Sequence, residues 1–216
     1  MGFFLFLVQL PAQPVNVYIS CSVPNSRMPQ FIREGELGRL LAEVASTAMG
    51  QMPPPTRFGD RDAQVLVRYR PLLESLTEDI VKGFYDVLFS HGPTAAVFQP
   101  GERPLREKAL RDWWTRTLSG PFNDDYWLWQ AYVGIIHFRR KVTPPMFIGM
   151  WGWIIDTVVR RLKAEPELVS ALVKLGVTQS SLMVSGYYGI VEYALGKDLI
   201  WNLVSAIIEK LAAGNG

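Results

Sequence analysis

One of the two histidines in the sequence, His137, lies between an apolar run and three consecutive cations in the segment AYVGIIHFRRKVTPP. Val133 and Gly134 precede it by one helical turn, and the next predicted helix presents Phe147 and Trp151 to the same space. This spacing predicts that the imidazole faces an apolar environment. A neutral imidazole in such an environment is what an iron porphyrin requires as an axial ligand.

Two further features of this segment favour a flat, acidic macrocycle as the ligand. Gly134 removes a side chain where such a ring could approach, and Arg139, Arg140 and Lys141 could reach carboxylates as charge-assisted partners. The alternative is a core histidine that is bonded to a carbonyl, beside a basic loop that complements the end of its helix. On local chemistry alone, this alternative is the more common arrangement.

Tyr85, in the segment GFYDVL, is a second candidate for ligand binding. In an apolar cavity its hydroxyl would donate a hydrogen bond to a polar diatomic ligand such as dioxygen. The more common arrangement is a tyrosine that spans core and surface, with its hydroxyl in water. Trp113, Trp114 and Trp151 are expected to be core aromatics, because tryptophan side chains are highly buried on average.

Other chemistries have little support in the sequence. Neither histidine belongs to an HExxH pair, and no serine stands in a G-x-S-x-G turn. The sequence therefore has no motif that indicates a zinc-dependent or triad-type hydrolase. The single cysteine, Cys21, excludes an internal disulfide and fits the reducing cytoplasm. The net charge is +2 with dispersed basic residues, which argues against nucleic-acid binding. No apolar run reaches the roughly 18 residues that cross a bilayer.

The elements that must position these residues are predicted to be helices. From Met28 onward the periodicity is helical almost throughout, which predicts an all-α protein. The segment GPTAAVFQPGERP is expected to be a polar link, and an interruption near Gly176 is left open. Eight helices are expected, at about 35–48, 61–73, from Ser75 to the HGP segment, 105–118, 125–139, from Thr143 to the RRLKAEP segment, 167–195 and 197–211.

Three of these helices begin with a capping signal. Ser75 and Glu78 stand at the S-x-x-E spacing of a capping box. Asn123 or Asp124 is expected to cap the fifth helix. Thr143 is expected to be the N-cap of the sixth, because a proline follows it at the first helical position.

Three segments, DIVKGFYDVL, LSGPFNDDYW and VGIIHFRRKVTPPMFIGMW, resemble the globin domain of the protoglobins and globin-coupled sensors. The resemblance covers about residues 59–195. Its most specific parts are the Phe-Tyr pair and the Gly-x-x-His-x-Arg segment that precedes a Pro-started aromatic helix. It implies an all-α globin fold with an extra N-terminal helix, which corresponds here to the helix at 35–48.

The resemblance implies roles for individual residues. His137 resembles the proximal haem ligand, and Tyr85, preceded by Phe84, resembles the distal tyrosine that donates a hydrogen bond to bound gas. Phe147 and Trp151 fall where the following helix lines the haem pocket.

Five further residues complete the expected pocket. Arg139 matches an arginine two positions after the ligand, and Val133 and Gly134 lie one turn before it. The fourth predicted helix is expected to form the distal wall, where Leu110 and Trp113 are the pocket residues. Its register is not determined by the sequence.

Composition and the resemblance together predict four parts of the chain. Residues 1–27 are an N-terminal extension, either disordered or contributed by an over-called start, and residues 28–58 are an N-terminal helix and linker. Residues 59–195 are the globin domain, and residues 196–216 are an amphipathic helix. The apolar stripe between Ile200 and Leu211 either packs on the domain or pairs with a second copy. Pairing is favoured, since globin sensors commonly dimerise through their last helices.

The implied function is that of a cytoplasmic haem b protein that binds O2, CO or NO. No signalling module follows residue 216, which favours a single-domain sensor or carrier. Neither a nucleic acid nor a membrane is expected as a partner. The alternative is a haem-free interaction module, like the globin-fold domains of some stressosome proteins. We do not expect an enzyme, although a haem pocket can support peroxide or NO chemistry.

Overall fold

The computed structural model describes residues 34–213, and within that range it confirms the all-α class, with nine helices and no strand. The predicted extension at 1–27 lies outside the described residues. The helices are α1 (Glu36–Gln51), α2 (Asp60–Ser75), α3 (Thr77–Ser90), α4 (Gly92–Ala95), α5 (Arg103–Ser119), α6 (Asp124–Arg139), α7 (Pro144–Leu162), α8 (Pro166–Leu195) and α9 (Lys197–Ala213).

All eight predicted helices are present, and the link that was predicted as a polar loop contains the additional short helix α4. A proline in its first turn is compatible with a helix start. The hydroxyl of Thr94 donates to the carbonyl oxygen of Leu88 at 2.6 Å and fastens α4 to the end of α3. A single turn held by such local bonds is too short to show an apolar periodicity in the sequence.

Two of the predicted helix starts are confirmed. Asn123 is the N-cap of α6, and its side-chain Oδ1 accepts a hydrogen bond from the backbone N–H of Tyr126 at 3.1 Å. Thr143 is the N-cap of α7, with Pro144 at the first helical position. The Thr143 hydroxyl makes no capping bond, so the proline is the start signal that operates there.

The capping box predicted at Ser75 and Glu78 is wrong. Ser75 is the last residue of α2, and its hydroxyl donates to the carbonyl oxygen of Leu72 at 2.7 Å. A residue with helical backbone cannot adopt the extended conformation of a typical N-cap. α3 therefore begins at Thr77, and Leu76 alone separates it from α2.

Helix α8 is the central element of the fold and packs against α1, α2, α6 and α7. It continues through Gly176 without interruption. A Cβ at Gly176 would lie 3.1 Å from the Trp151 ring, so this glycine makes room for packing. By length and composition α8 is the one described helix that could span a membrane, but 56% of its apolar window is buried inside the protein.

The backbones of α6 and α8 touch where they cross. A Cβ on Gly134 would lie 2.2 Å from the carbonyl oxygen of Met183, and a Cβ on Gly186 would lie 2.3 Å from that of Ala131. These distances are too short for any side chain. The two glycines therefore set the separation of the two helices, and with it the position of the His137 helix.

Helix α9 leaves the domain after Gly196, whose φ of +81° suits a glycine. The interpretation in which its apolar stripe packs on the domain is wrong, because large apolar side chains along α9 are exposed. Pairing with a second copy stays a prediction, which the oligomeric state in solution would test. The exposed side chains are Leu199, Trp201, Leu203, Val204, Ile207, Ile208 and Leu211.

We predict that Gly134→Ala lowers the free energy of unfolding by roughly 1 to 3 kcal/mol, because the added methyl group overpacks the crossing of α6 and α8. Urea denaturation followed by circular dichroism measures this change. Gly149→Ala on α7 is the matched control, since a Cβ there meets nothing within 4 Å. Equal stability of the two variants would contradict the close crossing.

Candidate functional site

A cavity of about 270 Å³ lies between helices α3, α5, α6 and α7. Its volume is close to the lower end of small-molecule sites, which span roughly 300 to 1,000 Å³. Aromatic and aliphatic side chains form most of its wall, and a few polar groups interrupt them. The cavity is therefore suited to a mainly apolar ligand.

The structure brings eight of the ten predicted site residues together around this cavity, and Gly134 and Arg139 are the two that do not line it. Several lining positions were not predicted, among them Leu88, Phe98 and Met150. Their apolar side chains could not be distinguished in the sequence from other core residues. The eight that line the cavity are Phe84, Tyr85, Leu110, Trp113, Val133, His137, Phe147 and Trp151.

The predicted role of Gly134 is wrong. The space that its missing side chain leaves is filled by the backbone of Met183 on α8, so it does not receive a flat ligand. Arg139 is exposed, whereas Arg140 lines the cavity. The reason is helical geometry, because a residue three positions after His137 shares its face and a residue two positions after it does not.

His137 is held by one hydrogen bond that determines the state of its ring. Its Nδ1 lies 2.8 Å from the backbone oxygen of Val133. Because a carbonyl oxygen only accepts, Nδ1 carries the proton and Nε2 carries the lone pair. The ring keeps some accessible surface because it borders the cavity, and it meets Phe147 edge-on at 6.0 Å between ring centroids.

The electrostatic environment favours the neutral form of this imidazole. Burial is the main cause that lowers the pKa of His137, and the positive charges of Arg140 and Arg106 lower it further. The hydrogen bond to Val133 acts in the opposite direction and raises the pKa, but its effect is smaller. A neutral imidazole with Nε2 unprotonated is the form of histidine that binds a metal.

Tyr85 lies on the wall that α3 contributes, and only 6% of its surface is exposed. Its hydroxyl donates to the backbone oxygen of Arg106 on α5 at 2.8 Å. The arrangement with this hydroxyl in water is therefore wrong. The rings of Phe84, Phe89 and Phe98 surround the tyrosine at centroid distances of 5.3, 6.3 and 6.0 Å.

A largely buried carboxylate, that of Glu102, connects two arginines that line the cavity. It accepts hydrogen bonds from Arg106 Nε at 2.8 Å, from Arg140 Nη2 at 2.6 Å and from the backbone N–H of Gln99 at 3.0 Å. Arg140 Nη2 also donates to the carbonyl oxygen of Val97 at 3.1 Å. This cluster ties the end of α6 to the start of α5 and the loop before it.

Only a weak signal for this cluster is present in the sequence. Glu102 and Arg106 stand at the i,i+4 spacing, which usually indicates a pair on a solvated helix face. The partner that buries the carboxylate, Arg140, is 38 residues away in the chain. No local pattern predicts that contact.

Comparison with known protein families gives the family of the chain. The sequence model described as Protoglobin matches residues 55–189, which is more than half of the 216 residues. The chain belongs to the protoglobin family. The matched range contains every residue that lines the cavity. Globin families bind haem and diatomic gases in general, so membership connects the cavity with that chemistry. No curated protein matches the chain.

The Glu102 cluster predicts how the stability of this protoglobin depends on pH. Burial alone would raise the pKa of Glu102, but the hydrogen bonds from Arg140, Gln99 and Arg106 outweigh it and lower the pKa from 4.5 to about 2. A carboxylate with a depressed pKa in the folded state stabilises the protein above its unfolded pKa. That contribution is lost as the pH falls from 4.5 towards 2.

We predict that Glu102→Gln lowers the free energy of unfolding at pH 7 by roughly 3 kcal/mol. The difference from the parent protein should shrink as the pH falls through the same window, because the protonated glutamic acid then resembles glutamine. Urea denaturation across this range measures both effects. Glu74→Gln removes an exposed i,i+4 pair with Arg70 and should cost only about 0.5 kcal/mol. A deficit of Glu102→Gln that is independent of pH would refute this account.

Proposed function

We propose that this protein binds haem b through His137 and that the bound haem receives a diatomic gas, O2, CO or NO. The observation that supports this most is the tautomer of His137. The hydrogen bond from Nδ1 to Val133 leaves Nε2 unprotonated on a residue that lines an apolar cavity, and such a nitrogen can bind the iron of a porphyrin. The sensor or carrier role that we propose follows from such reversible binding. When bound, haem would supply the iron to which the gas binds.

The metal-binding side chains of the cavity fit a metal that is already coordinated by a macrocycle. Within residues 34–213, no group of three or more His, Cys, Asp or Glu side chains could hold a bare metal ion. His137 therefore offers a single nitrogen. A porphyrin brings four nitrogen ligands of its own, so one protein ligand is sufficient for it.

The aromatic wall of the cavity fits the apolar faces of the same group. Trp113 and Trp151 approach each other edge-on at 5.4 Å between ring centroids, and Phe147 contacts the His137 ring. These side chains line the cavity that His137 borders, and Phe147 packs edge-on against the imidazole. A low local dielectric also favours the neutral ring.

Tyr85 is the residue that we propose to contact the bound gas. Its hydroxyl lies on a different helix from His137 and borders the same cavity. The backbone oxygen of Arg106 accepts its proton and therefore competes with the gas for it. We infer that Tyr85 stabilises a polar ligand such as O2 more than an apolar one, but less than an uncommitted hydroxyl would.

We predict that His137→Ala loses most of its bound haem, because no other described residue replaces the imidazole at that position. The haem content and the intense Soret absorbance of the purified protein measure the loss. His91→Ala is the matched control, since His91 is exposed at the end of α3 and should leave the spectrum unchanged. A haem-replete His137→Ala protein would overturn the assignment. A parent protein that stays colourless after reconstitution would support the haem-free interaction module instead.

We predict that Tyr85→Phe increases the O2 dissociation rate by a factor of up to roughly ten, the value of one net hydrogen bond. Stopped-flow displacement of O2 by CO measures this rate. Tyr187→Phe serves as the control, because it also removes a hydrogen bond from a tyrosine to a backbone carbonyl but does not line the cavity. An unchanged rate in Tyr85→Phe would remove Tyr85 from the proposed role.

A further inference from the structure

The ionisable side chains around the cavity carry an excess of positive charge. Arg106, Arg116 and Arg140 line it, and Asp112 is the acidic lining residue among the described positions. Asp112 already pairs with a lysine on its own helix at 2.6 Å. Arg116 donates to the backbone oxygens of the Gly120–Pro121 segment and lies over a tyrosine ring. Arg116 keeps its charge, but both of its terminal nitrogens are used in these bonds. Arg106 and Arg140 are therefore the lining arginines considered further.

Glu102 neutralises only one of these two charges. The exposed fractions of the three side chains are 11% for Glu102, 18% for Arg106 and 27% for Arg140, so the cluster is largely removed from water. Two guanidinium groups and one carboxylate leave a net charge of one. A largely desolvated cluster with that charge favours one further anion.

Both arginines keep hydrogen-bond donors that Glu102 does not use. In the described part of the chain, Arg106 binds Glu102 through Nε and Nη2, and Arg140 uses Nη2 for both Glu102 and Val97. Neither Glu102 nor Val97 accepts a hydrogen bond from the remaining nitrogens, which are Nη1 of Arg106 and Nη1 and Nε of Arg140. These are the groups with which guanidinium binds carboxylates, often in bidentate pairs.

We propose that Arg106 and Arg140 together bind a carboxylate group of the ligand that occupies the cavity, and that Glu102 is a positioning residue that holds both guanidinium groups for it. The inference deepens the proposed function and rests on it, because it concerns how a porphyrin dicarboxylate is oriented. Arg140 follows His137 by three residues, and the backbone of Arg106 holds Tyr85. A carboxylate bound here would fix one edge of the ring relative to both residues.

The test compares two metal-free probes, protoporphyrin IX and its dimethyl ester, whose carboxylates are blocked. Fluorescence titration of the haem-free full-length protein gives the Kd of each. We expect the parent protein to bind the diacid about tenfold more tightly than the ester, as charge-assisted bonds require. The ratio of the two Kd values should fall towards one in Arg106→Gln and Arg140→Gln. Glu102→Gln raises the net charge of the cluster, so a lower ratio in that variant, which we expect, reports the lost positioning of the guanidinium groups, and a higher ratio would overturn the role of Glu102.

Arg139→Gln is the matched control, because Arg139 is adjacent in sequence but exposed, and it should keep the full preference. Arg140→Lys retains the charge without the planar fork and should give an intermediate preference, which provides a second variant if Arg140→Gln fails to fold. Equal affinities of the parent protein for both probes would overturn the proposal. So would an unchanged preference in both arginine variants.

The experiment also separates this proposal from the assignment of His137. Neither probe contains iron, so His137→Ala should keep the preference for the diacid even though it loses haem. A lost preference in the arginine variants beside a haem-replete His137→Ala protein would support the carboxylate site and refute the axial ligand. An unchanged preference in the arginine variants, together with loss of haem from His137→Ala, would refute the carboxylate site alone.

Discussion

The hydrogen bond from His137 Nδ1 to the carbonyl oxygen of Val133 determines which nitrogen of the imidazole carries the lone pair. With Nδ1 protonated, the lone pair must be on Nε2. Burial and the nearby charges of Arg106 and Arg140 keep the ring neutral by lowering the pKa of His137. The same arginines are held by Glu102, so the state of the histidine and the charge at the cavity edge are parts of one electrostatic arrangement.

The position of that imidazole in the protein depends on how α6 is fixed relative to the other helices. Gly134, one turn before His137, lies against the backbone of Met183 on the central helix α8. The close crossing positions one wall of the cavity, and the Glu102 cluster ties the far end of α6 to α5. Two constraints therefore position the His137 helix, one of backbone packing and one of paired charges.

The sequence was sufficient to predict the helices and much of the cavity, because apolar periodicity and Gly-Pro breaks are local properties. The segments around Tyr85 and His137 allowed the family to be inferred. Contacts between distant segments could not be predicted in this way, and the pairing of Glu102 with Arg140 is the clearest case. Small shifts of register also exceeded what the sequence could resolve, as at Ser75, where one helix ends and another begins two residues later.

The central claim, that His137 Nε2 binds iron, is tested most directly by resonance Raman spectroscopy of the ferrous haem-loaded protein. The parent protein should show an iron–histidine stretching band. His137→Gly should lack that band, and added imidazole, which can occupy the space of the missing side chain, should restore an iron–imidazole band. A band of the parent type in His137→Gly without imidazole would show that another residue ligates the iron and would contradict the account.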